Sequence, residues 1–193
     1  AAFFDLYNTL AQFSPPREEL QEIACKQFGV IIDPKYISKG YYKADEFMAK
    51  ENARYPISSR PEIEQANFFS EYEYLILHTA GSIVGKNLAG QIYAFLDRLP
   101  HRLELFDDVI PVLTKLKSSM GITIGLISNL ANDSQFLSNL GLDPYLDILV
   151  TSDKSKSMKP HREIFDLAIK KSMIPASECI HVGDQYHSDI LGA

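Results

Sequence analysis

Cysteine is scarce in this chain, clusters of basic residues are absent, and no apolar stretch is long. Only two cysteines, Cys25 and Cys179, occur in 193 residues. No disulfide framework is therefore expected, and both read as reduced, small apolar side chains. The longest apolar runs, such as 122–127, fall far short of the ~20 residues that a membrane span requires. No Lys/Arg run appears and the formal charge is −6, which argues against a nucleic-acid partner. No secretory leader is recognisable, although the chain opens almost directly on a strand, as if a few residues preceded Ala1. A soluble, cytoplasmic protein is the expectation. What is present is a 46% hydrophobic composition, enough for one good core or for a core domain with a smaller insert.

Four short apolar stretches read as buried parallel strands: residues 2–4, 122–127, 148–151 and 179–182. Each is rich in β-branched or aromatic residues and ends in polar or glycine-containing sequence. Helical patterns lie between them. Residues 108–117 space Val109, Val112, Leu113 and Leu116 along one face, and residues 162–172 repeat this with Ile164, Phe165, Ala168 and Ile169. This alternation over 104–193 predicts a right-handed, parallel α/β sheet, a Rossmann-like core.

Residues 14–103 differ, showing no convincing strand but several helix starts. Ser14-Pro15-Pro16 predicts one helix, closed by Gly29, and Asp33-Pro34 predicts another. Ser59-Arg60-Pro61-Glu62 has the spacing of a capping box. The aromatic stripe Phe68, Phe69 and Tyr72, continued by Leu75 or Ile76, predicts helix–helix packing. Tyr41, Tyr42, Phe47 and Tyr55 are likewise expected in the core, and Arg17, Arg54 and Arg60 on the solvated surface. The chain thus divides into an α/β core, 1–13 with 104–193, and an all-helical insert, 14–103. Such an insert after a first strand reads as a cap that shuts water out of a site.

Polar residues cluster after the strands, where open α/β sheets bind their ligands. Asp5 follows the first strand, with Thr9 four positions on. Ser128-Asn129 follows the second, Lys159-Pro160 precedes the helix at 162, and Gly183-Asp184, with Asp189, follows the last. Singly, each is common turn chemistry. Their order is specific.

That order resembles the haloacid dehalogenase superfamily of hydrolases over essentially the whole chain. The family's Asp-x-Asp-Gly-Thr-Leu motif appears as Asp5-Leu6-Tyr7-Asn8-Thr9-Leu10. Its strand ending in Ser or Thr matches Gly125 to Asn129, its Lys-Pro matches Lys159-Pro160, and its Gly-Asp with a later Asp before Gly-Ala matches Gly183-Asp184, Asp189 and Gly192-Ala193. The insert is similar in position to the family's helical C1-type cap. The resemblance implies Asp5 as the covalent nucleophile. Ser128 and Asn129 would bind the transferred group, and Lys159 would hold Asp5 and the incoming anion together. Mg²⁺ would sit among Asp5, Asp184 and the backbone carbonyl of Tyr7. Asp189 and Thr9 would act behind these residues, Asp189 orienting metal waters or Lys159 and Thr9 fixing the turn. The family continues through another helix and further strands beyond Ala193, so an edge of the sheet is expected to lie outside this chain.

One element departs from the pattern. The residue two positions after the nucleophile is a carboxylate in the family's phosphatases, where it works as general acid and base; here it is Tyr7, whose ordinary pKa is about 10. Tyr at this place is similar to the 2-haloacid dehalogenase branch, in which a departing halide needs no proton and no metal is used. The intact Gly183-Asp184 points the other way, because two facing carboxylates need a cation between them. The preferred expectation is a Mg²⁺-dependent, phosphatase-like hydrolase of a small phosphorylated metabolite. A metal-independent dehalogenase-like hydrolase and a catalytically weak binding protein remain as alternatives. Neither the substrate nor the oligomeric state is legible.

Overall fold

The structure, a computed structural model, describes residues 1–130 and 134–193. The chain forms two units, Ala1–Gln12 with Leu103–Ala193, and Phe13–Arg102.

The first unit is built on a parallel sheet of β1 (Ala2–Phe4), β4 (Ile124–Ser128), β5 (Ile148–Thr151) and β6 (Ile180–Val182), in the order β5-β4-β1-β6. Register pairs Phe4 with Leu126 on one side and with Val182 on the other. Strand side chains alternate between faces, and both faces are apolar. Ala2, Phe4, Ile124 and Leu126 pack with Val109 and Leu113 of α5 (Val109–Met120). Phe3, Ile127, Ile148 and Val150 pack with Ile164 and Ala168 of α8 (Arg162–Ser172). Each of these larger side chains contributes about 1.5–3 kcal/mol by leaving water. Two shorter helices, α6 (Ser134–Asn139) and α7 (Ser152–Ser155), flank β5 in sequence.

The last strand departs from the expectation of burial. In it Ile180 is 63% and Val182 40% exposed. The sequence reading also missed two strands, β2 (Ala11–Ser14) and β3 (Arg102–Leu105), which pair as a two-stranded sheet where the chain leaves and re-enters the first unit. With four residues each they are too short to stand out by periodicity.

The second unit holds α1 (Arg17–Gln27), α2 (Ile37–Arg54), α3 (Glu62–Thr79) and α4 (Lys86–Leu96), with α3 packed on both α2 and α4. Gly40 lets α2 approach closely, because a Cβ there would lie 2.7 Å from the Ile76 carbonyl oxygen. Phe68, Tyr72 and Ile76 meet Ile37, Tyr41 and Ala44, so the aromatic stripe is helix packing, and Phe47 stacks on Phe68 at 5.2 Å. Tyr42 and Tyr55, by contrast, are exposed.

Two helix starts differ from their signals. Ser14 ends β2 and Pro16 precedes α1 without a side-chain cap. Ser59 lies in a short 3₁₀ turn, and α3 begins after Pro61. The proline holds Arg60 extended, which moves Ser59 out of the capping position. Arg17 and Arg60 are also not solvated charges. Arg17 pairs with Asp45 at 2.8 Å and lies over the Tyr41 ring, while Arg60 binds Glu51 and the Glu51 and Tyr55 carbonyls. Arg54 is exposed as expected. Among the described residues no helix is long and apolar enough to cross a membrane.

Candidate active site

The C-terminal strand ends gather the polar residues singled out by sequence. Asp5 leaves β1 with its backbone N–H donated to the Val182 carbonyl, 2.9 Å away, which sets it level with the turn after β6. The next residues fold into a tight loop: the amides of Leu10 and Ala11 both reach the Leu6 carbonyl, and Asn8 N–H donates to Ala11 O at 2.7 Å. Asn8 has φ +56°, a left-handed conformation that Asn tolerates better than most residues.

Lys159 is the centre of the site. Its Nζ donates to Asp5 Oδ1 at 2.5 Å and to Asp189 Oδ1 at 2.6 Å, with the ammonium side chain only 2% exposed. Its backbone is held too. Asn129 at the end of β4 accepts from Lys159 N–H at 2.7 Å and donates from Nδ2 to the Lys159 carbonyl at 3.0 Å. This reciprocal pair places Asn129 behind the lysine as a brace.

Asp189 lies in a π-helical turn, Tyr186–Ile190, that follows β6. Gly183 allows its approach, since a Cβ at 183 would fall 2.2 Å from Asp189 Cγ. Both Asp189 oxygens are engaged, Oδ1 by Lys159 and His181 Nε2 and Oδ2 by the Gln185 amide at 3.0 Å. Burial pushes this carboxyl up, but the His181 hydrogen bond, Lys159 and the amide outweigh burial and leave it below the usual carboxylate value. Asp5 goes the other way: burial raises it against the pull of Lys159, and the Asp189 charge adds to the rise.

Asp184 faces these two. Oxygens of Asp5, Asp184 and Asp189 lie within 4.8 Å of one another. Asp184 accepts from Asn8 Nδ2 at 3.3 Å, and desolvation together with the Asp5 charge raises its pKa to about 6. Two of the three carboxylates share the one ammonium, and the third has an amide. A hard divalent cation suits this oxygen-rich, electron-rich donor set.

Ser128 ends β4 fully buried, and among the described residues neither its Oγ nor the buried Thr9 Oγ1 in the first loop has a hydrogen-bond partner. A buried hydroxyl left unpaired costs on the order of 1–3 kcal/mol, which an oxygen of a bound anion would offset. Tyr7 packs its half-buried ring against the core, and burial, then the Asp5 charge, raises its hydroxyl pKa. It is therefore a poorer proton donor than free tyrosine. Asn8 and His181 escaped the sequence reading. The signal for Asn8 was its place where the motif carries glycine, and His181 gave no signal beyond its position two residues before Gly183.

The chain matches the family of haloacid dehalogenase-like hydrolases over residues 1–193. It is 29% identical over 201 residues to the ribulose-1,5-bisphosphate 5-phosphatase of Halopiger xanaduensis, covering 100% of this chain and 80% of the relative. The HAD-hydrolase YfnB from Bacillus subtilis, solved with magnesium bound, is similar with a TM-score of 0.59 at 19% identity, covering 99% of this chain and 82% of that one. The L-2-haloacid dehalogenase RSc1362 is similar with a TM-score of 0.57 at 18% identity, covering 95% and 77%. At such identities the two structural likenesses speak for the fold alone.

Proposed function

Because this chain belongs to the haloacid dehalogenase-like hydrolases, we propose that it is a Mg²⁺-dependent phosphatase of a small phosphomonoester, with Asp5 as nucleophile. The observation that carries the reading is the surplus of carboxylates. Lys159 is divided between Asp5 and Asp189, and Asp184 faces Asp5 with no cation paired to it among the described residues, its side chain accepting from the Asn8 amide. A dehalogenase has no use for the third carboxylate.

Asp5, Asp184 and the Tyr7 backbone carbonyl would hold Mg²⁺, which when bound would supply positive charge to offset the repulsion among the carboxylates and the charge of the phosphate. The remaining work falls to the chain. Lys159 fixes Asp5 through Oδ1 and lowers the repulsion between that carboxylate and the incoming phosphate. An Asp5 oxygen attacks phosphorus while the bond to the leaving oxygen breaks, giving an aspartyl phosphate. Ser128 donates its hydroxyl to a phosphoryl oxygen. Water then attacks phosphorus, releasing inorganic phosphate and restoring the Asp5 carboxylate. Tyr7, its hydroxyl pKa raised by burial, is a poor general acid, so the reading favours a leaving oxygen that is stable as an anion or takes its proton from substrate or solvent. The helical insert, 14–103, is proposed as the cap that selects the substrate.

Hydrolysis of p-nitrophenyl phosphate with Mg²⁺, lost on chelation and abolished in Asp5→Asn, is the expected result. Tyr7 favours a second reading, dehalogenation without metal. Chloride release from 2-chloropropionate in the presence of a chelator, with no phosphatase activity, would replace the first reading by the second.

A further inference from the structure

We propose that His181 is a positioning residue for Lys159, acting through Asp189; this rests on the phosphatase reading above. His181 stands in the middle of β6, its side chain 4% exposed and its ring edge-on to Phe165 at 5.4 Å. Nε2 lies 2.9 Å from Asp189 Oδ1, the same oxygen that accepts from Lys159. An ionised carboxylate only accepts, so Nε2 carries the proton and donates it. Nδ1 is buried and, among the described residues, has no hydrogen-bond partner.

The two ring nitrogens are in different states. Here the nitrogen that faces the site is bonded and the other is left unpaired, at a cost to stability. An apolar side chain of similar size would fill the same space without that cost. What it would lack is the hold on Asp189.

The consequence runs along three atoms. Asp189 has the Gln185 amide on Oδ2 and two donors on Oδ1. Loss of the imidazole frees the carboxylate to turn about the bond that carries it, and Lys159 follows the oxygen it is bonded to. Lysine has a flexible four-carbon stem, so its ammonium stays between Asp5 and Asp189 only while both carboxylates are fixed. Displacement of a catalytic group by about 1 Å suffices for a 10²-fold loss of rate. Among the described residues His181 is hydrogen-bonded to Asp189 and not to Asp5 or Asp184, so its effect falls on alignment and not on substrate affinity.

The test uses the intact chain and three variants, assayed on p-nitrophenyl phosphate with Mg²⁺. His181→Leu is expected to lower kcat about 10- to 100-fold with KM changed by less than about threefold. His181→Gln, whose amide nitrogen can occupy the place of Nε2, is expected to recover most of that loss. A Leu variant with wild-type kcat, or a Gln variant that falls as far as Leu, overturns the proposal. Should the Leu variant not fold, His181→Met replaces it against Gln. Acetylation of Lys159 by acetic anhydride, followed by mass spectrometry, gives a readout independent of turnover. Lys159 is expected to be protected in wild type and Gln and modified faster in Leu or Met; equal protection refutes the role of His181 even if the protein hydrolyses no phosphate ester. Absence of phosphatase activity in wild type with the labelling difference intact would instead refute only the phosphatase reading.

Discussion

The buried carboxyl of Glu73 makes the helical unit sensitive to pH, and its size can be worked from the structure. Glu73 on α3 is 1% exposed, and Oε1 accepts from Gln21 Nε2 of α1 at 2.5 Å. Gln21 Oε1 in turn accepts from the Tyr41 hydroxyl of α2 at 2.9 Å, so one network ties three helices. Burial outweighs the Gln21 hydrogen bond and raises the Glu73 pKa from 4.5 to about 7. The folded state therefore binds a proton more tightly than the unfolded chain. Stability from this group is fully present below pH 4.5 and is lost as pH rises through about 7. At about 1.4 kcal/mol per pKa unit, the span from 4.5 to about 7 corresponds to about 3 kcal/mol. Burial keeps the neighbouring groups un-ionised over this window, the Cys25 thiol being raised to about 11 and the Tyr41 hydroxyl well above its usual value. Glu73→Gln keeps the shape and an acceptor for Gln21 but cannot ionise. Urea unfolding followed by helical circular dichroism, between pH 4.5 and about 8, is the assay. Wild type should lose about 3 kcal/mol relative to the variant across that range. Parallel stability curves for the two proteins would refute the argument.

Three further outcomes are expected. Ser128→Ala should lower kcat about 10²- to 10³-fold, the usual loss for one donor to a developing oxyanion, in the steady-state aryl phosphatase assay. Tyr7→Asp restores a carboxyl where the leaving oxygen needs a proton, and should raise kcat by on the order of 10², most for alcohols that are poor leaving groups; no rise across a series of phosphate esters would show that Tyr7 is not simply a lost acid. Asn8→Ala removes the amide that holds Asp184, and Mg²⁺ titration by calorimetry should show affinity weaker by about 10-fold.

The divergence between expectation and structure follows from what local sequence can encode. The strands at β1, β4 and β5 were legible because a strand buried on both faces is apolar at every position. β6 was read as a buried strand from its Ile and Val, yet Ile180 and Val182 are exposed, because what covers a strand face is set by the tertiary fold and not by the strand. β2 and β3 went unread because four residues with one partner each leave too little periodicity. In the helical unit, Pro61 overrode the capping box by fixing the residue before it, and Arg17 and Arg60 read as surface charges because their partners, 28 residues on for Arg17 and nine and five back for Arg60, are brought to them only by the folded chain.

By itself the sequence determined which residues stand at the C-terminal strand ends. Asp5, Ser128, Lys159 and Asp184 were named by order and spacing, since a parallel α/β chain has few ways to wind and each winding delivers the residue after a strand to the same edge. Tertiary structure decided how those residues share charge. The Lys159 ammonium is split between Asp5 and Asp189, Asn129 braces the lysine backbone, Asn8 reaches Asp184, and His181 grips the far side of Asp189. These contacts join residues 30 to 176 positions apart, apart from the eight between His181 and Asp189. Hydrogen bonds depend on tenths of an ångström and on direction, and only the packed chain sets those.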